Sequence, residues 1–389
     1  MKKFALTVLS IFFTLHIFGL PGDSIQISLL TVLPRSNYIY TIYGHTAIRV
    51  CCPSKKSDLV FNYGAFNTNE PNFTYRFIRG KTDYFLDAYT YQQFEYNYRT
   101  GNYTVIEQIL NLPAEEKEKM IQMLFLNFLP ENRRYRYDFL FDNCTTRPRD
   151  IIVKFAGGKI VYAVPRDATT FRKLIHGCTA PYPWMTLGID LLIGKGADSL
   201  ISHQQKMFLP EKLMNALDSA YVVNDDLEQR PIVSFRYVVI QSSEADDSGG
   251  RSWSSPMKLG IILLIHALVF GIYGIVSKRR FSIFFGLIYL QATIIGLIIW
   301  FVALFSVHPC TFPNFNMYFF HPFYLIAFVG YVFPKTYRFA TWFHWINFVL
   351  LPMLLMAWPF ILQNMNPANI PYILCLWIGS IVWLKVQKI

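Results

Sequence analysis

Met1-Lys2-Lys3 stands before an apolar run, Phe4–Leu20, the basic-then-apolar order of a secretory signal segment. The exit, Gly19-Leu20-Pro21-Gly22-Asp23, has no clean A-x-A site. The pattern for 1–22 therefore leaves a cleaved signal peptide and an uncleaved N-terminal anchor both open. Across 23–240 short apolar runs alternate with polar stretches. Ser28–Val32, Ala47–Val50, Leu59–Phe61, Tyr103–Leu110 and Ile232–Ile240 read as strands. Asn111-Leu112-Pro113-Ala114-Glu115-Glu116 opens a helix with a cap, an early proline and acids in the first turn; Met120, Met123, Leu124 and Phe128 then fall on one face. Residues 23–240 are thus predicted to form one exported α+β domain. Gln241–Pro256, rich in Ser and Gly, reads as a flexible linker over 241–256.

From Met257 to the end the pattern is that of a membrane protein. Five spans are expected, at about 257–276, 281–306, 318–334, 342–362 and 370–386, an all-α transmembrane domain over 257–389. Lys278-Arg279-Arg280, Lys335 with Arg338, and Lys385 with Lys388 fall on one side, while loops 307–317 and 363–369 carry no Lys or Arg. Basic loops stay cytoplasmic, so the C-terminus is expected inside and 23–256 outside. His266 and Gln291 should reach similar depth on neighbouring helices, where a hydrogen bond between them would offset two buried polar groups.

The chain is 53% hydrophobic and 16% charged, which excludes a disordered protein and argues against a purely soluble globule. Its net charge of +11 raises the possibility of nucleic-acid binding. The excess, however, sits in 1–22 and in 257–389, where no Asp or Glu occurs, so it reads as membrane topology. The six cysteines form no CxxC and no regular framework. There is no metal-ligand spacing, Gly-rich phosphate loop or dinucleotide fingerprint, so no metal and no cofactor are expected.

One constellation concentrates chemistry. Tyr43-Gly44-His45-Thr46 puts a histidine where a turn enters a strand, and Asp142-Asn143-Cys144-Thr145-Thr146 puts a cysteine at a helix start. Tyr135–Phe141 before it is strand-like, and the helix is expected over Thr145–Ala156. The helix dipole and free N–H groups at such a start favour thiolate over thiol and can hold an oxyanion. A nearby imidazole would complete an activated nucleophile. On the strand after His45, Asn62 is the first choice to orient the ring, with Tyr63 and Asp58 as alternatives. Cys178, His176 and His203 are assigned to packing, as is the vicinal pair Cys51-Cys52.

The order His, polar strand residue, Cys at a helix start resembles the circularly permuted papain-like folds of the lecithin:retinol acyltransferase and NlpC/P60-related group. More specifically, YGHTAIRV, FNYGAF, FIRGKTDYFL, FDNCTTRPRD, the Trp184–Asp198 segment and the five-span tail resemble the Lnb lipoprotein N-acyltransferases over essentially the whole chain. The resemblance implies a bacterial inner-membrane enzyme with a periplasmic catalytic domain, Cys144 as nucleophile and His45 as base. A phospholipid would donate the acyl chain and a diacylated lipoprotein would accept it. Arg147, Arg149, Arg79 and Lys81 are candidates for the donor phosphate. Tyr43, beside the His45 motif, is a further substrate-binding candidate. Aromatic segments Phe73–Phe77 and Tyr84–Phe94 could border acyl chains. A membrane-tethered cysteine peptidase or amidase acting on cell-wall peptides is the rival enzyme, and a lipoprotein-recruiting binding domain the non-enzymatic one. Oligomeric state is left open.

Overall fold

The computed structural model describes residues 25–35, 41–163, 168–243, 255–333 and 336–386. The signal or anchor segment and most of the 241–256 linker lie outside them. The chain forms two compact units, one of residues up to Asn67 with Asp83–Pro165 and Met207–Ala245, the other of Thr68–Thr82, Arg166–Lys206 and the chain from Asp246. Two segments expected within the exported domain, 68–82 and 166–206, thus cluster with the C-terminal helices.

The first unit is built on strands β1 (Gln26–Val32), β2 (His45–Cys52), β3 (Ser57–Ala65), β4 (Asp83–Thr90), β5 (Val105–Leu110), β6 (Arg134–Arg136), β7 (Lys159–Val161), β8 (Tyr221–Val223), β9 (Gln229–Pro231) and β10 (Val233–Ile240). Seven of them form one antiparallel sheet in the order β10-β5-β1-β2-β3-β4-β6; β7, β8 and β9 form a small second one. Side chains alternate across a strand. Ile27, Leu29, Ile48, Val50, Phe61 and Tyr63 therefore share one face, packed with Met120 and Leu124 of one helix and Ile151 and Ile152 of another. Leu30, Val32, Ala47, Val60 and Val105 share the opposite face with Phe94. The helices concerned are α1 (Tyr91–Thr100), α2 (Ala114–Phe128) and α3 (Thr146–Lys154). Both faces of the central strands are covered, which is why β1 and β2 read as nearly continuous apolar runs. A side chain as fully buried as Phe61 contributes about 1.5–3 kcal/mol.

The strand-like run Tyr135–Phe141 joins the sheet through β6, and Asp138 bridges Asp142 beyond it. The Asp138 carboxylate accepts the N–H groups of Leu140 and Phe141 at 2.9 and 3.0 Å, and that local turn ends the strand.

In the second unit, α4 (Phe171–Thr179) and α5 (Pro183–Leu192) precede the apolar helices α6 (Pro256–Ser277), α7 (Ser282–Phe305), α8 (Tyr324–Val332), α9 (Tyr337–Ala357) and α10 (Asn369–Lys385). Three are long and apolar enough to cross a membrane: α6, α7, and α9 with its extension to Phe360. At 1.5 Å per residue the 17 residues of α10 reach about 26 Å. The third expected span is broken. A short helix, Asn316–Phe319, stops before His321-Pro322, and the 9 residues of α8 reach only about 14 Å. Pro322, with no N–H to donate, stands at the break. Helix α6 buries Gly260, Ala267, Gly271 and Gly274 and exposes Ile261, Ile265, Leu268 and Ile272. Small residues at the contact let helix backbones approach where no water drives association. The expected His266–Gln291 bond is not made. His266 Nδ1 instead bonds the Ile262 carbonyl, one turn back on the same helix, at 2.8 Å.

Candidate active site

The segment before Cys144 is locked by Asn143, which is almost wholly buried. Asn143 Oδ1 accepts the N–H groups of Thr145 and Thr146 at 2.7 and 2.8 Å. Its Nδ2 donates to the carbonyls of Phe139 (2.7 Å) and Phe208 (2.9 Å). In return the Asn143 N–H donates to Thr146 Oγ1 at 2.8 Å. One side chain thus caps the first turn of α3 and ties it to two other segments. Asparagine suits this because it carries both an acceptor and two donors. A consequence corrects the sequence expectation: the Thr145 and Thr146 N–H groups are engaged by Asn143 and are not free to hold an oxyanion. The Cys144 N–H itself bonds no acceptor among the described residues.

Cys144 meets the ends of β2 and β3. The register pairs Ile48 with Phe61, so His45 and Asn62 share a face one diagonal step apart. Asn62 Oδ1 lies 2.5 Å from His45 Nε2, which leaves Nδ1 as the ring nitrogen for the sulfur. Gly64, at φ +95°, lines the same spot. A Cβ there would stand 3.2 Å from Cys144 Cβ and 3.9 Å from His45 Cε1, so the backbone conformation and the space both favour glycine. Thr46 and Thr145 hydroxyls meet at 3.2 Å and join strand to helix behind the pair.

The electrostatics favour an ion pair. Burial alone would raise the Cys144 thiol. The His45 charge and hydrogen bond, the Thr145 hydroxyl and the Thr46 N–H outweigh it and hold the thiol below its ordinary value. Burial likewise lowers His45, but the Cys144 thiolate and the bonds from Cys144 and Asn62 raise it above the usual imidazole range. The two shifts have one cause, mutual stabilisation of thiolate and imidazolium.

The other sequence-predicted residues are placed as follows. Tyr63 is buried, with its hydroxyl on Asn127 Nδ2 at 3.0 Å, and Asp58 lies at the other end of β3, paired with Arg49 at 2.7 Å. Neither bonds His45. Arg147 forks onto Asp142 at 2.6 and 2.7 Å and lies 3.6 Å over the Tyr135 ring, so its planar face and two of its donors already have partners. Arg149 is mostly buried and bonds Asp150 at 2.8 Å. Tyr43 packs edge-on to Phe139 at 4.7 Å. Arg79 and Lys81 belong to the second unit, where Arg79 donates to the Phe305 carbonyl (3.3 Å) and the Tyr75 hydroxyl (3.1 Å).

Three tyrosines were not singled out by the sequence. Tyr84 and Tyr137 stack at 4.1 Å, and Tyr135 sits edge-on to Tyr63 at 6.3 Å. Burial, then the Cys144 charge, pushes Tyr84 up to about 12 and raises Tyr135 and Tyr137 further. All three are neutral phenols in the field of the Cys144 sulfur, and the Tyr135 hydroxyl is buried with no hydrogen-bond partner. The signal for Tyr135 and Tyr137 was present as tyrosine at alternate positions just before the cysteine motif, and Tyr84 opens the aromatic segment Tyr84–Phe94. A strand pattern alone does not distinguish it from core. Among the described residues no group of three or more His, Cys, Asp or Glu could hold a metal ion.

The model of the Lnb N-terminal periplasmic domain matches residues 20–177, and that of the Lnb transmembrane domain matches residues 248–388. Among curated proteins and solved structures none matches the chain significantly.

Proposed function

Because the chain has the architecture of the Lnb-type lipoprotein N-acyltransferases, carrying both their periplasmic and their transmembrane domain, we propose that it transfers a fatty acyl chain from a phospholipid to the α-amine of a lipoprotein's lipidated N-terminal cysteine. The single observation that carries this reading is the Cys144–His45–Asn62 arrangement in a chain of that family. The Cys144 thiolate attacks the ester carbonyl of the donor, and the C–O electron pair moves onto oxygen. The Cys144 N–H, which bonds no acceptor among the described residues, is a donor available to that oxyanion. As the tetrahedral centre collapses, the His45 imidazolium gives its proton to the departing lysophospholipid alkoxide, leaving an acyl thioester. The acceptor amine then attacks the thioester. His45, now neutral, takes the amine proton, and the amide leaves as the thiolate returns. Asn62 holds the imidazole orientation through both half-reactions. Sheet order and the His-to-Cys sequence order support reading the first unit as a permuted papain-like domain.

The same reading places the C-terminus in the cytoplasm. Two observations support it besides the basic loops. The Val307 N–H bonds the Arg79 carbonyl, and the Asn364 N–H bonds Asp198. Arg79 lies within the periplasmic-domain match, as do Lys173 and His176, which border one cleft with residues 361–365. The loops 307–317 and 363–369, which lack basic residues, are therefore each bonded to a segment preceding the transmembrane-domain match.

The test is incubation of the purified full-length protein with phospholipid and a diacylated lipopeptide, read by mass spectrometry for the N-acylated peptide and for the adduct on Cys144. A fatty-acyl thioester supports the reading. A peptidyl adduct with no acyl transfer overturns it in favour of a peptidase.

A further inference from the structure

The second unit carries a polar cluster that the thiol chemistry does not use. Arg172 and Asp190, both 1% exposed, bond at 2.6 Å. Arg172 also donates to Asp198 (2.9 Å) and to the carbonyls of Ile193 and Gly194. Asp190 in turn accepts from Asn366 Nδ2 at 3.0 Å and bonds His176 Nε2 at 2.8 Å. Asp198 takes the Asn364 N–H on its second oxygen at 3.3 Å. The result is a rigid buried layer that fixes the positions of His176 and Asp198. Above it opens a cleft of about 600 Å³, with Lys173, His176 and Asp198 on one side and Trp358, Ile361 and Leu362 on the other.

The charges have a definite pattern. Arg172 is shared by two carboxylates, so one negative charge is left over near Asp198. Lys173, exposed one residue along α4, supplies one positive charge. The cleft is neutral but dipolar. A lone anion would meet Lys173 and leave Asp198 uncompensated; a lone cation would do the converse. The other wall is apolar and continues into Phe360, 83% exposed, and Leu362, 69% exposed, in a segment without Lys or Arg. Trp358 is the kind of residue that settles at a membrane interface.

We propose that this cleft binds a zwitterionic phospholipid headgroup, with the phosphate at Lys173, the ammonium at Asp198, and the first part of the acyl chains against Ile361 and Leu362. The inference rests on the membrane topology proposed above and not on the thiol mechanism. His176, assigned to packing from the sequence, is held by Asp190 and borders the cleft.

The experiment uses the full-length Cys144→Ala protein in detergent, so that bound lipid is not consumed, and native mass spectrometry to count retained lipid. The probes are phosphatidylethanolamine, phosphatidylglycerol and soluble glycerophosphoethanolamine. Phosphatidylethanolamine should be retained over phosphatidylglycerol, and Lys173→Ala should weaken retention about tenfold, the loss of one charge-assisted contact. Lys173 is exposed, so Lys173→Ala leaves the buried layer intact, and an unchanged melting temperature confirms that. Equal retention of both lipids, or no change in Lys173→Ala, overturns the proposal. Full displacement by millimolar glycerophosphoethanolamine overturns the lipid assignment in favour of a free headgroup. Because the measurement needs no turnover, its failure leaves the acyl-transfer reading standing, and a failure of acyl transfer leaves this one standing.

Discussion

Replacement of Asn62 by alanine directly probes the orientation of the imidazole proposed as the base. The Asn62 Oδ1 to His45 Nε2 contact is 2.5 Å, and the bond is one of the causes that raise His45, so it favours the charged ring. A hydrogen bond to a charged group contributes about 1.5–3 kcal/mol, and each 1.4 kcal/mol is a factor of ten. Asn62→Ala should therefore lower kcat/KM for lipopeptide acylation about 10- to 100-fold, well short of abolishing it. The pH profile adds a second reading. The lowered Cys144 value and the raised His45 value both favour the thiolate–imidazolium pair. The bond from Asn62 is one of the causes that raise His45. Removing it lowers that value, so the alkaline limb of kcat/KM should move to lower pH. Asn62→Asp, which keeps an acceptor and adds a negative charge, should retain most of the rate and move the alkaline limb upward. The assay is initial-rate mass spectrometry of N-acylated lipopeptide from pH 5 to 10. A wild-type rate with an unshifted alkaline limb in Asn62→Ala would refute the reasoning and reassign the orienting role.

Cys144→Ala should abolish transfer while the protein inserts and melts normally; activity in that variant would end the thiol mechanism. Gly64→Ala forces a side chain into φ +95° and within 3.2 Å of Cys144 Cβ. It should cost about 1–3 kcal/mol of stability and displace the sulfur enough to slow acylation about 100-fold, with thermal melting and single-turnover rate as the two readouts. Asn143→Ala removes the acceptor for two N–H groups and should lower stability by about 0.5–2 kcal/mol as well as activity, whereas Asn143→Asp, which keeps that acceptor, should recover more of the stability. Arg172→Met leaves Asp190 buried without its guanidinium and should destabilise the protein by about 3–5 kcal/mol, read by denaturation in detergent.

What the amino-acid order determined by itself was everything that depends on near neighbours. The apolar stretches after Met257 needed only their length and their lack of charge. The short apolar runs Ser28–Val32, Ala47–Val50 and Leu59–Phe61 needed only local composition. The Asn143-Cys144 helix start is a local cap, and it was legible as one. Tertiary structure decided what depends on distant partners. His45 and Cys144 are brought together across 99 residues, through contacts such as Thr46 with Thr145. Asn62, and not Tyr63 or Asp58, bonds the imidazole because the β2–β3 register puts Asn62 on the same face and hands Asp58 to Arg49 at the far end. Arg147, a phosphate candidate by charge alone, is held by Asp142 and Tyr135. The third expected span fits the hydropathy pattern but breaks at His321-Pro322, and segments 68–82 and 166–206 join the C-terminal helices although their composition matches the sheet domain. Periodicity reports which face of an element is apolar; which other element covers that face, and in what register, is set by packing across the whole chain.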